Sequence, residues 1–94
     1  MKVRVLKREA HELRIEVEGA GHTICNVVQG KLLENEHVDL AGYDVPHPLA
    51  SNPVIYVRTK GKVKPEEVLK EAIAGAREVN KEFGKELSRA LKKT

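Results

Sequence analysis

Apolar and polar positions alternate over the first eighteen residues of the chain, which is the pattern of β-strands. Val3 and Val5 alternate with basic side chains, and a polar turn follows. The next segment, ELRIEVE at residues 12–18, alternates strictly between charged and branched apolar residues. One apolar face and one polar face are typical of an antiparallel sheet covered on one side only. The sequence therefore predicts two strands that form a hairpin.

The periodicity then changes to that of a helix. Gly19-Ala20-Gly21 interrupts the second strand, and Thr23 is a residue type that favours the N-cap position. The apolar residues that follow recur at the three- and four-residue spacing of one helical face. Their stripe consists of Ile24, Val27, Val28 and Leu32. We predict a helix that begins at Thr23 and ends near Asn35.

Two further strands are predicted at residues 38–45 and 53–59, the second rich in β-branched residues. Between them lies the segment Pro46, His47, Pro48, in which the two prolines fix φ and remove backbone donors. This segment is either a rigid turn or a docking contact.

The last predicted element is one long helix from about Pro65 to about Lys92, with Pro65 at its favoured first position. Such a helix would be roughly 42 Å long, whereas a strand of about eight residues spans roughly 26 Å. We therefore expect it to extend beyond the sheet. Asn80 stands at the seam position between Ala76 and Phe83, where an apolar residue would be expected. It is either a polar residue that sets the register with a partner or part of a solvated helix edge. The seam itself consists of Leu69, Ile73, Ala76, Phe83, Leu87 and Ala90.

The element order is thus β-β-α-β-β-α. It indicates the α+β class, as a two-layer domain in which a four-stranded sheet carries two helices on one face. Ninety-four residues allow one domain, residues 1–94, and a core of limited size. The order of the strands in the sheet is left open by the sequence.

An apolar stripe that extends past its own sheet needs another chain to cover it. We therefore predict that the second half of the long helix faces a partner. The alternative is that the helix bends or ends early and that all its apolar residues pack within the chain. The predicted partner-contact residues are Ile24, Val27, Val28 and Leu32 on the first helix and Phe83, Leu87 and Leu91 on the second. Periodicity alone leaves open which of them face the partner and which face the sheet.

Charge and cysteine usage narrow the function classes. The formal net charge is +3, with 17 basic and 14 acidic residues interleaved, which is weak support for nucleic-acid binding. The single cysteine, Cys25, excludes a disulfide within the chain and fits a reducing cytoplasm. No stretch approaches the roughly 20 apolar residues of a membrane span. We expect a cytoplasmic protein.

The candidates for chemistry are few. His22 and Cys25 have metal-ligand spacing and His47 could be a third ligand, but zinc sites usually have four ligands and more than one thiolate. A Cys–His nucleophile pair would lack an identifiable orienting residue. Phosphate-binding and dinucleotide-binding glycine motifs are missing from the sequence. We predict no catalytic residues, no metal and no cofactor.

The segment HTICNVVQGKLLENEHVDLAGYDVPHPL, residues 22–49, resembles the signature of the archaeal RNA polymerase subunit L family, which is related to the amino-terminal domain of the bacterial polymerase alpha subunit. Cys25 stands where this family commonly has glycine. The matching residues are His22, Thr23, Ile24, Asn26, Val27 and Val28, then Ala41, Gly42 and Tyr43, then Pro46, His47, Pro48 and Leu49.

This resemblance implies a non-catalytic subunit that pairs with a larger homologous polymerase subunit, designated D in archaea, which we call the D-type subunit. The pair would form the platform on which the large catalytic subunits and some small subunits assemble, with DNA and RNA contacted only through the complex. The alternative function is a small ligand-binding or nucleic-acid-binding regulatory domain that acts as a homo-oligomer. Self-association without any polymerase partner would favour that alternative.

Overall fold

The computed structural model describes residues 1–45, 52–76 and 81–93. Within these residues a four-stranded antiparallel sheet with the order β1-β2-β4-β3 carries three helices, which confirms the α+β class and the four-stranded sheet. The elements are β1 (Lys2–Arg8), β2 (Glu12–Glu18), α1 (His22–Glu34), β3 (Val38–Asp44), β4 (Val54–Thr59), α2 (Pro65–Gly75) and α3 (Lys81–Lys92).

The predicted hairpin is present as β1 and β2. Val3 pairs with Val17 and Val5 with Ile15, so that the apolar residues of both strands share the helix-covered face. An irregularity between Val5 and Lys7 shifts the register at the end of β1. In the centre of the sheet β2 pairs with β4, and β3 lies at the edge.

Helix α1 begins earlier than predicted. Gly21 is its N-cap residue and makes no side-chain cap hydrogen bond, while Thr23 lies inside the first turn. The N-cap assignment to Thr23 was therefore wrong. Of the predicted stripe, Val28 and Leu32 are buried and Ile24 is half-buried, while Cys25, which was not counted in the stripe, also lies in the core.

The long C-terminal helix, by contrast, is not present as a single element. Helix α2 ends at Gly75, and Ala76 has an extended backbone with φ −94° and ψ 107°. Helix α3 then packs against β1, where the guanidinium Nη1 of Arg8 donates a hydrogen bond of 2.9 Å to the Leu91 carbonyl oxygen. The expected overhang beyond the sheet was therefore wrong, and the described part of the chain contains three helices where two were predicted.

One core joins the inner face of the sheet to all three helices. Phe83 and Leu87 from α3 have no exposed surface. Burying such side chains contributes about 1.5–3 kcal/mol each. The apolar side of α3 is therefore covered by the chain's own sheet, a role that the sequence interpretation assigned to another chain. The intramolecular alternative describes this structure.

Candidate functional site

Two separate parts of the signature segment meet at one end of the sheet. His22 is the first residue of α1, and Tyr43 is near the end of β3. The Nδ1 atom of His22 lies 3.4 Å from the Tyr43 hydroxyl oxygen, and the ring centroids are 6.0 Å apart. This long polar contact connects α1 to β3. Pro46, His47 and Pro48, the third part of the segment, lie outside the described residues.

Gly42 is explained by a close approach between neighbouring strands. It pairs with Tyr56 of β4, and a Cβ atom at position 42 would lie 2.6 Å from the Tyr56 hydroxyl oxygen and 2.8 Å from its Cζ. Real Cβ atoms essentially never approach so closely. Any larger residue at position 42 would therefore require the Tyr56 ring to shift.

Tyr56 also contacts β2, the strand on the other side of β4. Arg14 pairs with Tyr56 across the two central strands, and its guanidinium carbon lies 5.5 Å from the ring centroid, within cation–π distance. Gly42, Tyr56 and Arg14 thus form a row across three strands on the sheet face opposite the helices. No sequence pattern indicated this row, because it depends on the strand order and register.

The predicted partner-contact residues fall into two groups. Ile24 and Val27 are half-buried and keep accessible surface on α1. The other five are buried in the core of this chain, and their role in partner contact stays a prediction. These five are Val28, Leu32, Phe83, Leu87 and Leu91.

The outward face of α1 is accessible from Thr23 to Leu33. We call it the α1 surface and define it by Thr23, Asn26, Val27, Gly30 and Leu33, which recur at helical spacing opposite the buried side. Leu33 is 58% exposed, a large apolar side chain that the chain's own fold does not cover. Gly30 is a helical glycine with nothing within 4 Å of a Cβ atom built there.

Cys25 is buried, and this burial raises the pKa of its thiol above the ordinary value of 9.0. A neutral, covered thiol is a poor nucleophile. Within the part of the chain that the structure describes, no three His, Cys, Asp or Glu side chains are grouped as a metal site would need. None of the described helices is long and apolar enough to cross a membrane.

Comparisons with known proteins agree with the resemblance in the signature segment. The family model of the RNA polymerase Rpb3/Rpb11 dimerisation domain matches residues 12–86. The DNA-directed RNA polymerase subunit Rpo11 of Methanothrix thermoacetophila is 40% identical over 92 residues, covering 98% of this chain and 100% of that protein. The Rpo11 subunit of Thermococcus onnurineus is 46% identical over 74 residues, covering 77% of this chain and 78% of that protein.

The fold is also found in a solved structure. The crystal structure of DNA-directed RNA polymerase subunit L from Thermoplasma acidophilum superimposes with a TM-score of 0.73 and 26% sequence identity, covering 98% of this chain and 90% of that one. Fold, signature residues and sequence similarity coincide over nearly the whole chain. This chain belongs to the RNA polymerase Rpb3/Rpb11 dimerisation domain family, together with the archaeal subunits L and Rpo11.

Proposed function

We propose that this chain is a non-catalytic subunit of a cytoplasmic DNA-directed RNA polymerase and that it pairs with the larger D-type subunit to form the assembly platform. The observation that carries the proposal is the match of a dimerisation domain over residues 12–86. The near full-length similarity to Rpo11 subunits supports the polymerase context. Within the resulting pair, this chain contributes shape and surface, and the large subunits contribute chemistry.

The α1 surface is where we place the contact with the D-type subunit. Leu33 is an exposed leucine within the residues that match the dimerisation-domain family. A partner subunit that covers this side chain would explain its exposure. Gly30 supports this, because glycine inside a helix costs about 1 kcal/mol relative to alanine and nothing in this chain requires it. A glycine on a helix face lets a second backbone approach closely.

Phe83→Asp is not an informative test of pairing. A charged side chain at this buried position would disrupt the core itself. Leu33→Asp is the better variant, since residue 33 is exposed and is not part of the core. The matched control is Leu6→Asp, which changes a similarly exposed leucine (46%) on β1, outside the α1 surface.

The experiment is co-expression of each variant with an archaeal D-type subunit, followed by size exclusion with mass determination. We expect a one-to-one complex for the wild type and for Leu6→Asp, and loss of the complex for Leu33→Asp with unchanged circular dichroism. Normal pairing of Leu33→Asp would refute the assignment of the α1 surface. A wild-type chain that ignores the D-type subunit and forms only a monomer or homodimer would refute the proposed function and favour the regulatory alternative.

A further inference from the structure

An open groove of about 700 Å³ lies between helices α2 and α3. Its floor is formed by small or apolar residues, namely Ile73 and Ala74 of α2 and Gly84 of α3. A Cβ atom at Gly84 would lie 3.9 Å from Cγ2 of Ile73, an ordinary contact distance. The packing of α2 on α3 therefore does not require glycine here, and its effect is to keep the floor low.

The walls of this groove are strongly basic. Among the described residues, five cationic side chains line it, and all five are exposed: Lys70, Lys81, Lys85, Arg89 and Lys92. Among the residues that the structure describes, only Arg89 of these five has a carboxylate at ion-pair distance, that of Glu86 at 3.0 Å. The remaining four cations are thus available to an anionic occupant.

Arg89 and Lys92 lie in the last turn of α3, where the helix dipole favours a cation, but the other cations of α3 are not placed to stabilise the helix. Lys81, Lys85 and Arg89 follow one another at intervals of four residues, and like charges at this spacing are unfavourable by about 0.2–0.5 kcal/mol per pair. Lys81 is also the first residue of α3, at the positive end of the helix dipole, where a cation is disfavoured. The local energetics of α3 therefore do not explain the cations at Lys81 and Lys85.

We infer that this groove, the α2–α3 groove, binds an acidic amphipathic helix of another protein subunit. The row from Lys81 to Lys92 is about 16.5 Å long at 1.5 Å per residue, so carboxylates repeating every four residues on a parallel or antiparallel helix stay in step with it.

The size of the groove agrees with a helix that is partly sunk into it. A helix with side chains is about 10–12 Å wide, so a length of about 18 Å occupies roughly 1,400–2,000 Å³. The groove volume is a third to a half of this. The small floor residues admit an apolar seam of the occupant, and the basic walls meet its carboxylates. Among the described residues that line the groove there is no aromatic side chain that could serve as a stacking platform for nucleic-acid bases.

This inference rests on the polymerase membership of the chain and not on the α1 surface. The test uses the full chain and a fluorescent, stapled helix of about twelve residues with glutamate at every fourth position and alanine elsewhere. The comparison peptide has glutamine in place of glutamate. We expect fluorescence anisotropy to show binding of the acidic peptide alone, weakened when the salt concentration rises above about 0.1 M.

The variants separate the groove from general basicity. The double variant Lys81→Glu, Lys85→Glu is expected to weaken binding by roughly tenfold or more, since it reverses two wall charges. The control variant Lys60→Glu, Lys62→Glu makes the same change of net charge on the turn between β4 and α2, outside the groove. Equal loss in both double variants would overturn the inference. So would equal binding of the glutamine peptide, or tighter, groove-dependent binding of a single-stranded oligonucleotide.

A second measurement identifies the natural occupant. A photoreactive amino acid at Ala74, an exposed residue of the groove floor, is introduced into the chain within a reconstituted polymerase. We expect cross-linking to a subunit segment with carboxylates at helical spacing. Cross-linking only to nucleic acid, only to a segment without such carboxylates, or to nothing would overturn the inference. Pairing with the D-type subunit is measured on the same samples, so a failure of the proposed function is recognised separately.

Discussion

Gly42 offers the sharpest test of the packing described above, through the substitution Gly42→Ala. The added Cβ atom would lie 2.6 Å from the Tyr56 hydroxyl oxygen, roughly 0.8 Å inside ordinary contact. The ring must therefore move away from the sheet surface. When it moves, it also loses the guanidinium of Arg14, whose carbon lies 5.5 Å from the ring centroid.

The magnitude follows from two opposing terms. Forcing a group into a packed site costs about 1–3 kcal/mol, and the loss of an exposed cation–π contact is included in that range. Replacing glycine by alanine gains back about 0.4–1 kcal/mol from the lower entropy of the unfolded chain. We expect a net loss of about 1–2 kcal/mol. For a domain of this size that lowers Tm by roughly 5–15 °C.

The assay is urea denaturation of four proteins: the wild type, Gly42→Ala, Tyr56→Ala and the double variant. Removing the Tyr56 ring removes the obstacle, so Gly42→Ala should be neutral or stabilising in the Tyr56→Ala background. The cycle then gives an interaction energy of about 1–3 kcal/mol between positions 42 and 56. If Gly42→Ala destabilises equally in both backgrounds, the close approach of the tyrosine is not the reason for glycine.

Three further predictions concern single positions on the helices. Gly30→Ala should raise the free energy of unfolding of the lone chain by about 1 kcal/mol. The same change should weaken the complex with the D-type subunit, as measured by titration. An unchanged affinity would place Gly30 outside the interface. Phe83→Ala should cost about 3–5 kcal/mol in chemical denaturation, whereas a cost below about 1 kcal/mol would mean that α3 is not docked on the sheet. Burial raises the Cys25 pKa, so the folded state favours the neutral thiol, and stability present below about pH 9 should be lost as the pH rises further. Cys25→Ala should flatten that alkaline decline in thermal denaturation, and an identical decline in both proteins would contradict the assignment.

Local patterns were sufficient for the strands. The alternation of charged and apolar residues in β2 predicted its bounds, Glu12–Glu18, and its buried face correctly. In α1 the helical spacing located the helix but left open which of its residues face the sheet, and Cys25, which was not counted in the apolar stripe, lies in the core. A small apolar thiol is as suitable for a core as alanine or valine.

The C-terminal region could not be predicted from periodicity. The seam through Leu69, Ile73, Phe83 and Leu87 keeps its helical spacing across the break, so nothing in the pattern separates one long helix from two. Whether one helix or two helices form depends on what covers the apolar face of β1. In this structure α3 packs on β1, so no other chain is needed to cover it. That balance is a property of the tertiary structure.

The α2–α3 groove was missed for a different reason. The basic residues of α3 were interpreted as solvent-facing partners of glutamates three residues earlier, and of these pairs the described residues include the bridge from Arg89 to Glu86. The row formed by Lys81, Lys85 and Arg89 becomes meaningful only beside Lys70, which α2 contributes. A sequence pattern on one helix cannot show what the neighbouring helix places opposite to it.

The strand order β1-β2-β4-β3 has a consequence for the order in which the chain is made. The hairpin of β1 and β2 is complete early in synthesis. One edge of β2 has no hydrogen-bonding partner strand until β4, whose first residue is Val54, has been synthesised. The apolar face of the hairpin waits longer still, until α3 emerges at the end of the chain. At about 5–20 residues added per second, this half-built sheet is exposed for several seconds, a period in which unpaired edges favour aggregation. Production of this chain should therefore depend on what shields the nascent hairpin as much as on the stability of the finished domain.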